Sequence, residues 1–276
     1  MLVTMKEILD KANAENYAVA APNVWSELDA RAVISAAQQM NAPLIIDIAD
    51  IANPDLVLLG RICEYLANKV AIPIAIHLDH GTNKTQIMQA IKGGFTSVMY
   101  DCSDKDFETN IKEVKEIVEF AHALNITVEA ELGHVGQAND YSHDYLTDPN
   151  LAREFIERTQ VDCLAVAIGT AHGAYPPNVY PQLDFERLVK IKKATNHFPL
   201  VMHGSSGTDN DSLQKACRLG INKVNIANDL CKAAVYACQH TDLTGNNAYR
   251  ITEIIEKAIE EKLKEMIKIY GSQNKA

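Results

Sequence analysis

Short runs of β-branched and small apolar residues alternate along the chain with longer stretches in which apolar positions recur every three or four residues. That alternation predicts parallel strands joined by crossover helices. Eight strand segments are expected, at 17–21, 43–48, 73–78, 97–101, 127–132, 163–168, 199–203 and 223–227. Amphipathic stretches such as 26–40, 107–124 and 209–219 lie between them, and capping residues head two helices, Ser26 before Glu27 and Asp184 before Phe185. Eight such units in one chain fit a closed (β/α)₈ TIM barrel, one domain spanning residues 1–276, better than an open doubly wound sheet. Val, Ile, Leu and Ala from the strands are expected to fill its core. A last helical stretch, 247–270, lies beyond the eighth unit and is expected to cap the barrel or pack on a partner. The segment 133–149, between strands five and six, is too long for a plain connection and reads as a functional loop.

Composition narrows the function classes. Hydrophobic residues make up 47% of the 276, enough for a large core, and the formal net charge is −10. An acidic chain lacks the basic footprint that nucleic acids and anionic membranes require, so neither is an expected partner. No apolar run approaches the roughly 20 residues of a membrane span, and the N-terminus lacks a signal-peptide layout, so a cytoplasmic protein is expected. The six cysteines, at 63, 102, 163, 217, 231 and 238, form no CxxC pair and read as reduced thiols, mostly buried.

In a parallel barrel the active site lies where strands end and βα loops begin. Those positions carry Asn23, Asp79, His80, Asp101, Glu131, His172, His203 and Asn225. A lone histidine near a strand is commonly a hydrogen-bonded core residue, but three on one rim, His80, His172 and His203, make a metal site with an open position, suited to zinc. Asp79 beside a ligand is the candidate general acid/base, or else an orienter of a histidine. Asp101 and Glu131 are alternative ligands or supporting groups, and His77 faces inward to support a carboxylate. The run from His203 through Gly204, Ser205 and Ser206 toward a helix near Asp209 offers backbone N–H groups to an anion, with a counterpart at Asn225, Ile226, Ala227 and Asn228. A Schiff-base mechanism needs a lysine at the C-terminal end of a strand, and Lys223 enters strand eight from the other end.

The segments His77-Leu78-Asp79-His80-Gly81, Glu129-Ala130-Glu131-Leu132-Gly133-His134-Val135-Gly136, Ala167-Ile168-Gly169-Thr170-Ala171-His172-Gly173 and Val201-Met202-His203-Gly204-Ser205-Ser206-Gly207 resemble, in order, the class II zinc-dependent fructose- and tagatose-bisphosphate aldolases. The resemblance runs from about Tyr17 to Ala276. It implies a lyase of carbohydrate metabolism, as in glycolysis, that cleaves or forms a ketose phosphate with dihydroxyacetone phosphate as donor. It implies Zn²⁺ on His80, His172 and His203, with Asp101 and Glu131 holding an alternative metal position, and Asp79 as the catalytic aspartate. It further implies that Asn23, Gly173, Gly204 to Ser206 and Asn225 to Asn228 bind the donor, with help from a monovalent cation, Na⁺ or K⁺. A homodimer or homotetramer is implied as well.

The chain departs from that pattern at the aldehyde end, with Trp25 and Ser26 after Asn23-Val24, and with Ala49 and Ile51 where the family has Ser and Gly. Gly136-Gln137-Ala138-Asn139 lacks the loop glutamate, and Asn228 replaces a threonine. The expected activity is therefore an aldolase whose acceptor is not glyceraldehyde 3-phosphate. The alternatives are a metal- and sugar-phosphate-binding protein without turnover, and a sugar-phosphate isomerase or epimerase.

Overall fold

The computed structural model describes residues 1–136, 145–173, 175 and 179–276. Eight parallel strands, β1 (Val19–Pro22), β2 (Leu44–Ala49), β3 (Ile74–Gly81), β4 (Ser97–Tyr100), β5 (Thr127–Leu132), β6 (Cys163–Val166), β7 (Leu200–Met202) and β8 (Ile221–Ile226), follow one another round the sheet, with β1 paired to β8. The remaining gap, between β1 and β2, is bridged where Asn23 pairs with Asp47 and the Val24 N–H donates to the Asp47 carbonyl at 2.9 Å. The architecture is a (β/α)₈ barrel, and each expected strand lies within two to three residues of an observed one.

The outer ring comprises α2 (Glu27–Gln39), α3 (Leu56–Ala67), α4 (Lys84–Lys92), α5 (Phe107–His122), α6 (Pro149–Thr159), α7 (Phe185–Ala194), α8 (Asn210–Leu219) and α9 (Asn228–Gln239). Asp184 caps α7 as expected, its carboxylate accepting from the Arg187 N–H at 2.9 Å. Ser26 takes the capping position of α2, but its hydroxyl donates to the Asp29 carboxylate at 3.0 Å and leaves the helix N–H groups alone. The terminal stretch begins as a 3-10 helix (Gly245–Arg250) and continues as α10 (Ile251–Tyr270), which packs on α2 and α9 and buries Ile259, Leu263, Met266, Ile267 and Tyr270.

Strand side chains alternate between the two sides of the barrel wall. One set, including Ile46, Ile76, Leu78, Val98, Val128, Leu164, Met202, Val224 and Ile226, packs outward under the helices in the main hydrophobic core. The other set faces the barrel axis, and it is not uniformly apolar as the strand composition suggested. At the N-terminal end it is Val19, Ile45 and Ala75. Halfway up, it is fully buried Asp47, His77, Glu129 and Lys223. At the C-terminal end it is Asn23, Asp79, Glu131, His203 and Asn225.

The helix α1 (Met5–Ala14), not foreseen from the sequence, closes the apolar end. Met5, Ile8, Leu9 and Ala12 lie on one face and cluster with the axial residues. Thr4 and Glu7 form a capping box at its start, the Thr4-x-x-Glu7 signature that precedes an apolar repeat. One end of the barrel is thereby sealed with hydrocarbon, and chemistry is confined to the other. The cysteines are unpaired, with 63, 102, 163 and 217 buried and 231 exposed. No helix among the described residues is long and apolar enough to cross a membrane.

Candidate active site

The period of two explains most of the rim. Asp79 follows His77, Glu131 follows Glu129, His203 follows Val201 and Asn225 follows Lys223 at two-residue steps, so each points into the mouth. By the same rule His80, next to Asp79, should point away. A bulge prevents this: Leu78 pairs with Val98 and Gly81 with Tyr100, so two residues of β3 stand opposite one of β4. His80 occupies the extra position with φ of 50°, left-handed backbone that a side chain other than glycine adopts at a cost of roughly 1–3 kcal/mol. Gly81 then lets the strands close again, since a Cβ there would lie 2.6 Å from the Met99 carbonyl oxygen. Adjacent residues are thus both delivered to one site.

His172 and His203 are brought together by the βα loops after β6 and β7. Gly204, at φ of 64°, packs so tightly on Ala171 that a Cβ would meet its carbonyl oxygen at 2.5 Å. Nitrogens of His80, His172 and His203 all lie within 4.8 Å of one another. A tetrahedral zinc ion places its nitrogen ligands roughly 3.3 Å apart, from bonds of about 2.05 Å. His80 Nε2 and His203 Nδ1 are 2.9 Å apart, and the His172 Nε2 atom is buried with no hydrogen-bond partner among the described residues. An unpaired buried imidazole nitrogen beside two converging ones fits a metal ligand set.

Electrostatics agree. Burial pushes His80 down, but the Asp79 carboxylate and the hydrogen bond to Asp101 more than reverse that and raise it to about 10. Burial and the charge on His80 lower His172 to about 4, and they hold His203 well below the ordinary imidazole range. The cluster accommodates one positive charge and keeps two neutral imidazoles around it. Asp101 accepts from the His80 ring at 2.8 Å and so orients it. Glu131 is raised to about 8 by burial and by Asp101; one of its oxygens accepts from the Val135 N–H at 2.8 Å and the other has no hydrogen-bond partner among the described residues. His80, Asp101 and Glu131 form a second group with metal-ligand spacing.

Asp79 is buried at the centre, accepting from the Asn23 amide at 2.8 Å and from the Asn225 amide at 3.0 Å. Burial would raise its carboxyl, yet the positive charge on His80 beside it holds it well below the usual range. It lies where two cavities meet. The outer one, about 560 Å³, includes Trp25, Ala49, Asp50, Ile51, Thr82 and Gln86 in its lining. The inner one, about 120 Å³, is lined by Gly173, Gly204, Ser205, Ser206, Asn225, Ala227 and Asn228. Asn23, Asp79, His172 and Ala227 line both.

Two expectations shift in the inner cavity. The start of α8 is already satisfied by Asp209, which accepts from the Ser212 N–H at 2.9 Å. It is α9 that opens without a side-chain cap, at Ala227 and Asn228, and the Asn228 amide nitrogen is buried without a partner among the described residues. Exposed helix N–H groups and an orphan donor suit an anion at that wall. Ile226, grouped with these residues from the sequence, is out of phase with Asn225: its side chain lies in the outer hydrophobic core, and its carbonyl accepts from the Asn23 N–H at 2.9 Å.

Sequence reasoning missed roles for Glu129, Asp47, Asp50, Gln86 and His134. Glu129 accepts from His203 Nε2 at 2.8 Å and from Lys223 Nζ at 3.0 Å, inside the barrel. Its place two residues before Glu131 was the available signal. Lys223 lies in mid-barrel, 3.5 Å from Asp47, and the two carboxylates outweigh burial and keep it protonated, unsuited to Schiff-base formation. His134 lines the outer cavity and pairs with the Ser103 hydroxyl at 3.0 Å. Residues 137–144, the middle of the expected 133–149 loop and the stretch where the loop glutamate is replaced, lie outside the described residues.

Comparison with known proteins agrees with this geometry. The pattern of class II fructose-bisphosphate aldolases matches residues 3–275. A fructose-bisphosphate aldolase of Thermus caldophilus is 37% identical over the whole of both chains. The crystal structure of the YdjI aldolase from Escherichia coli K12 superposes with a TM-score of 0.90 at 37% identity, covering all of both chains. A putative fructose-1,6-bisphosphate aldolase from Coccidioides immitis gives 0.88 at 28% identity, covering 98% of this chain and 96% of its own.

Proposed function

The chain belongs to the class II fructose-bisphosphate aldolase family, and from that premise we propose that it is a metal-dependent aldolase joining dihydroxyacetone phosphate to an aldehyde other than glyceraldehyde 3-phosphate. The observation that carries the reading is the position of Asp79 and His172 at the junction of the two cavities, with three imidazole nitrogens converging beside them.

His80, His172 and His203 would hold the metal, zinc by the chemistry of the donor set, with Asp101 and Glu131 beside it. When bound, such an ion supplies Lewis-acid polarisation of a carbonyl oxygen. The inner cavity suits the donor's phosphate, placed against the uncapped start of α9 and among Gly204, Ser205 and Ser206. The aldehyde then occupies the outer cavity; the donor carbon gives up its C–H proton to solvent and forms the new bond to the aldehyde carbon at the junction, and cleavage reverses both. Asp79, kept ionised, accepts the hydroxyl proton when that bond is cleaved and returns it to the aldehyde oxygen when the bond forms. The amides of Asn23 and Asn225 fix its orientation.

The outer cavity favours an acceptor without a second phosphate. Among the described residues no lysine or arginine lines it, whereas Asp50, Asp79 and Asp101 do. Asp50 accepts from Gln86 at 3.0 Å, and the Gln86 amide oxygen accepts from the Thr82 N–H at 2.8 Å, a polar edge matched to hydroxyl groups. Ile51, 98% exposed, forms part of the lip.

The test is condensation of dihydroxyacetone phosphate with a panel of phosphorylated and unphosphorylated aldehydes, alongside exchange of its C–H proton with deuterium oxide. Carbon–carbon bond formation with an unphosphorylated hydroxyaldehyde is expected. Best activity with glyceraldehyde 3-phosphate would refute the acceptor assignment alone. Donor binding without exchange would refute the aldolase and favour a binding protein.

A further inference from the structure

The layer of charge inside the barrel lies below the mouth, and no substrate reaches it. Glu129 and Lys223 are fully buried, and their ion pair stands halfway along the axis between the apolar plug of α1 and the histidine cluster. Buried ions are costly and persist where their geometry serves something. Here the geometry is directional. Lys223 Nζ donates to Glu129 Oε2 at 3.0 Å, and Glu129 Oε1 faces His203 Nε2 at 2.8 Å. With Lys223 donating to one Glu129 oxygen, the other is the acceptor facing His203, so His203 Nε2 is the donor of that bond and carries the proton. The other ring nitrogen is left with its lone pair. That Nδ1 atom points at the metal cluster, 2.9 Å from His80 Nε2, and the Asn225 amide nitrogen, a donor, lies 3.4 Å away on the same side. Asp47 lies 3.5 Å from the same ammonium.

We propose that Glu129 and Lys223 are positioning residues for the metal: Lys223 aims Glu129, and Glu129 fixes the tautomer and ring orientation of His203, so a buried cation that never touches the ion strengthens its binding. This role rests on the reading of His80, His172 and His203 as the metal ligands, and is independent of the aldehyde and of turnover.

Its sign makes it testable. By charge alone, removing a nearby lysine should tighten the binding of a divalent cation, because like charges repel. The positioning role demands the opposite. Zinc dissociation constants would be measured by chelator competition on the full chain for the wild type, Lys223→Met and Glu129→Gln, with near-ultraviolet circular dichroism confirming the fold. Loss of such supporting partners typically weakens metal binding about 10–100-fold. We expect Lys223→Met in that range, and Glu129→Gln nearer its lower end because an amide oxygen still accepts. Zinc bound by Lys223→Met as tightly as by the wild type, or more tightly, overturns the proposal. Should Lys223→Met fail to fold, ¹⁵N imidazole shifts decide: His203 protonated on Nε2 in the wild type and mixed in Glu129→Gln supports the role. A proton on Nδ1, or one tautomer in both proteins, overturns it.

Discussion

His172→Ala separates metal binding from folding in a way the structure makes quantitative. The Nε2 atom of His172 is buried and has no hydrogen-bond partner among the described residues. Leaving such an atom unsatisfied costs about 1–3 kcal/mol, comparable to the packing an imidazole contributes at a rim position. The backbone bond that seats the residue, from the His172 N–H to the Gly136 carbonyl at 2.8 Å, survives truncation. Without metal, the variant should therefore be as stable as the wild type to within about 1 kcal/mol, since the two terms oppose one another. With zinc the two should part. At a free concentration of 100 times the dissociation constant, binding stabilises the folded state by about 2.7 kcal/mol. In a domain of this size that shifts the melting temperature by roughly 5–10 °C. The variant, with two of three ligands, should show little of this shift. Thermal melts of both proteins in chelator and in zinc read all four states. A zinc-induced shift in His172→Ala equal to that of the wild type would refute the ligand assignment, and a collapse of the metal-free variant would refute the claim that the site is not needed for folding.

Other consequences follow from the same geometry. Asp79→Ala should keep its metal, measured by elemental analysis, and lose about 10²–10⁴-fold in turnover, because proton transfer and not coordination is removed. Gly204→Ala forces a Cβ to within 2.5 Å of the Ala171 carbonyl at a φ of 64°, so a melting temperature lower by several degrees and weaker zinc binding are expected together. Asp50→Lys places a cation in the outer cavity and should raise kcat/KM for glyceraldehyde 3-phosphate relative to glyceraldehyde by about tenfold, the worth of 1.4 kcal/mol. Chelator treatment of the wild type should abolish condensation and leave far-ultraviolet circular dichroism unchanged.

What could be read from the chain divides along physical lines. Strands announced themselves because a wall buried on both faces needs unbroken apolar or small residues, and Thr127–Leu132 matches the expected segment at both ends. The rim residues were legible because barrel topology sends strand ends to one mouth. Their inward direction was legible too, at two-residue spacing, for Asp79 after His77 and Glu131 after Glu129. His80 broke that spacing, and the bulge that rescues it is a pairing of β3 against β4 that neither strand states alone. The helix α1 was not legible from the strand–helix alternation, because it precedes the first strand, although its capping box and the apolar repeat at Met5, Ile8, Leu9 and Ala12 are in the sequence.

The buried ion pair shows the deeper limit. Lys223 looked like a lysine at the wrong end of a strand, and Glu129 like a neighbour of a more interesting glutamate. Each reading is sound for a residue taken singly, since an isolated buried charge would neutralise or force its segment to the surface. Only closure of the barrel brings β5 and β8 across the axis, where the carboxylate meets the ammonium at 3.0 Å. The axial layer must hold the charges in balance, because an unpaired one would leave the interior, and it must hold them in order, because His203 stands at one end of the row. A periodicity of two reveals which side of the wall a residue occupies. It carries no information about which residue faces it from the far side, and in a barrel that partner decides whether a buried charge is a defect or part of the site.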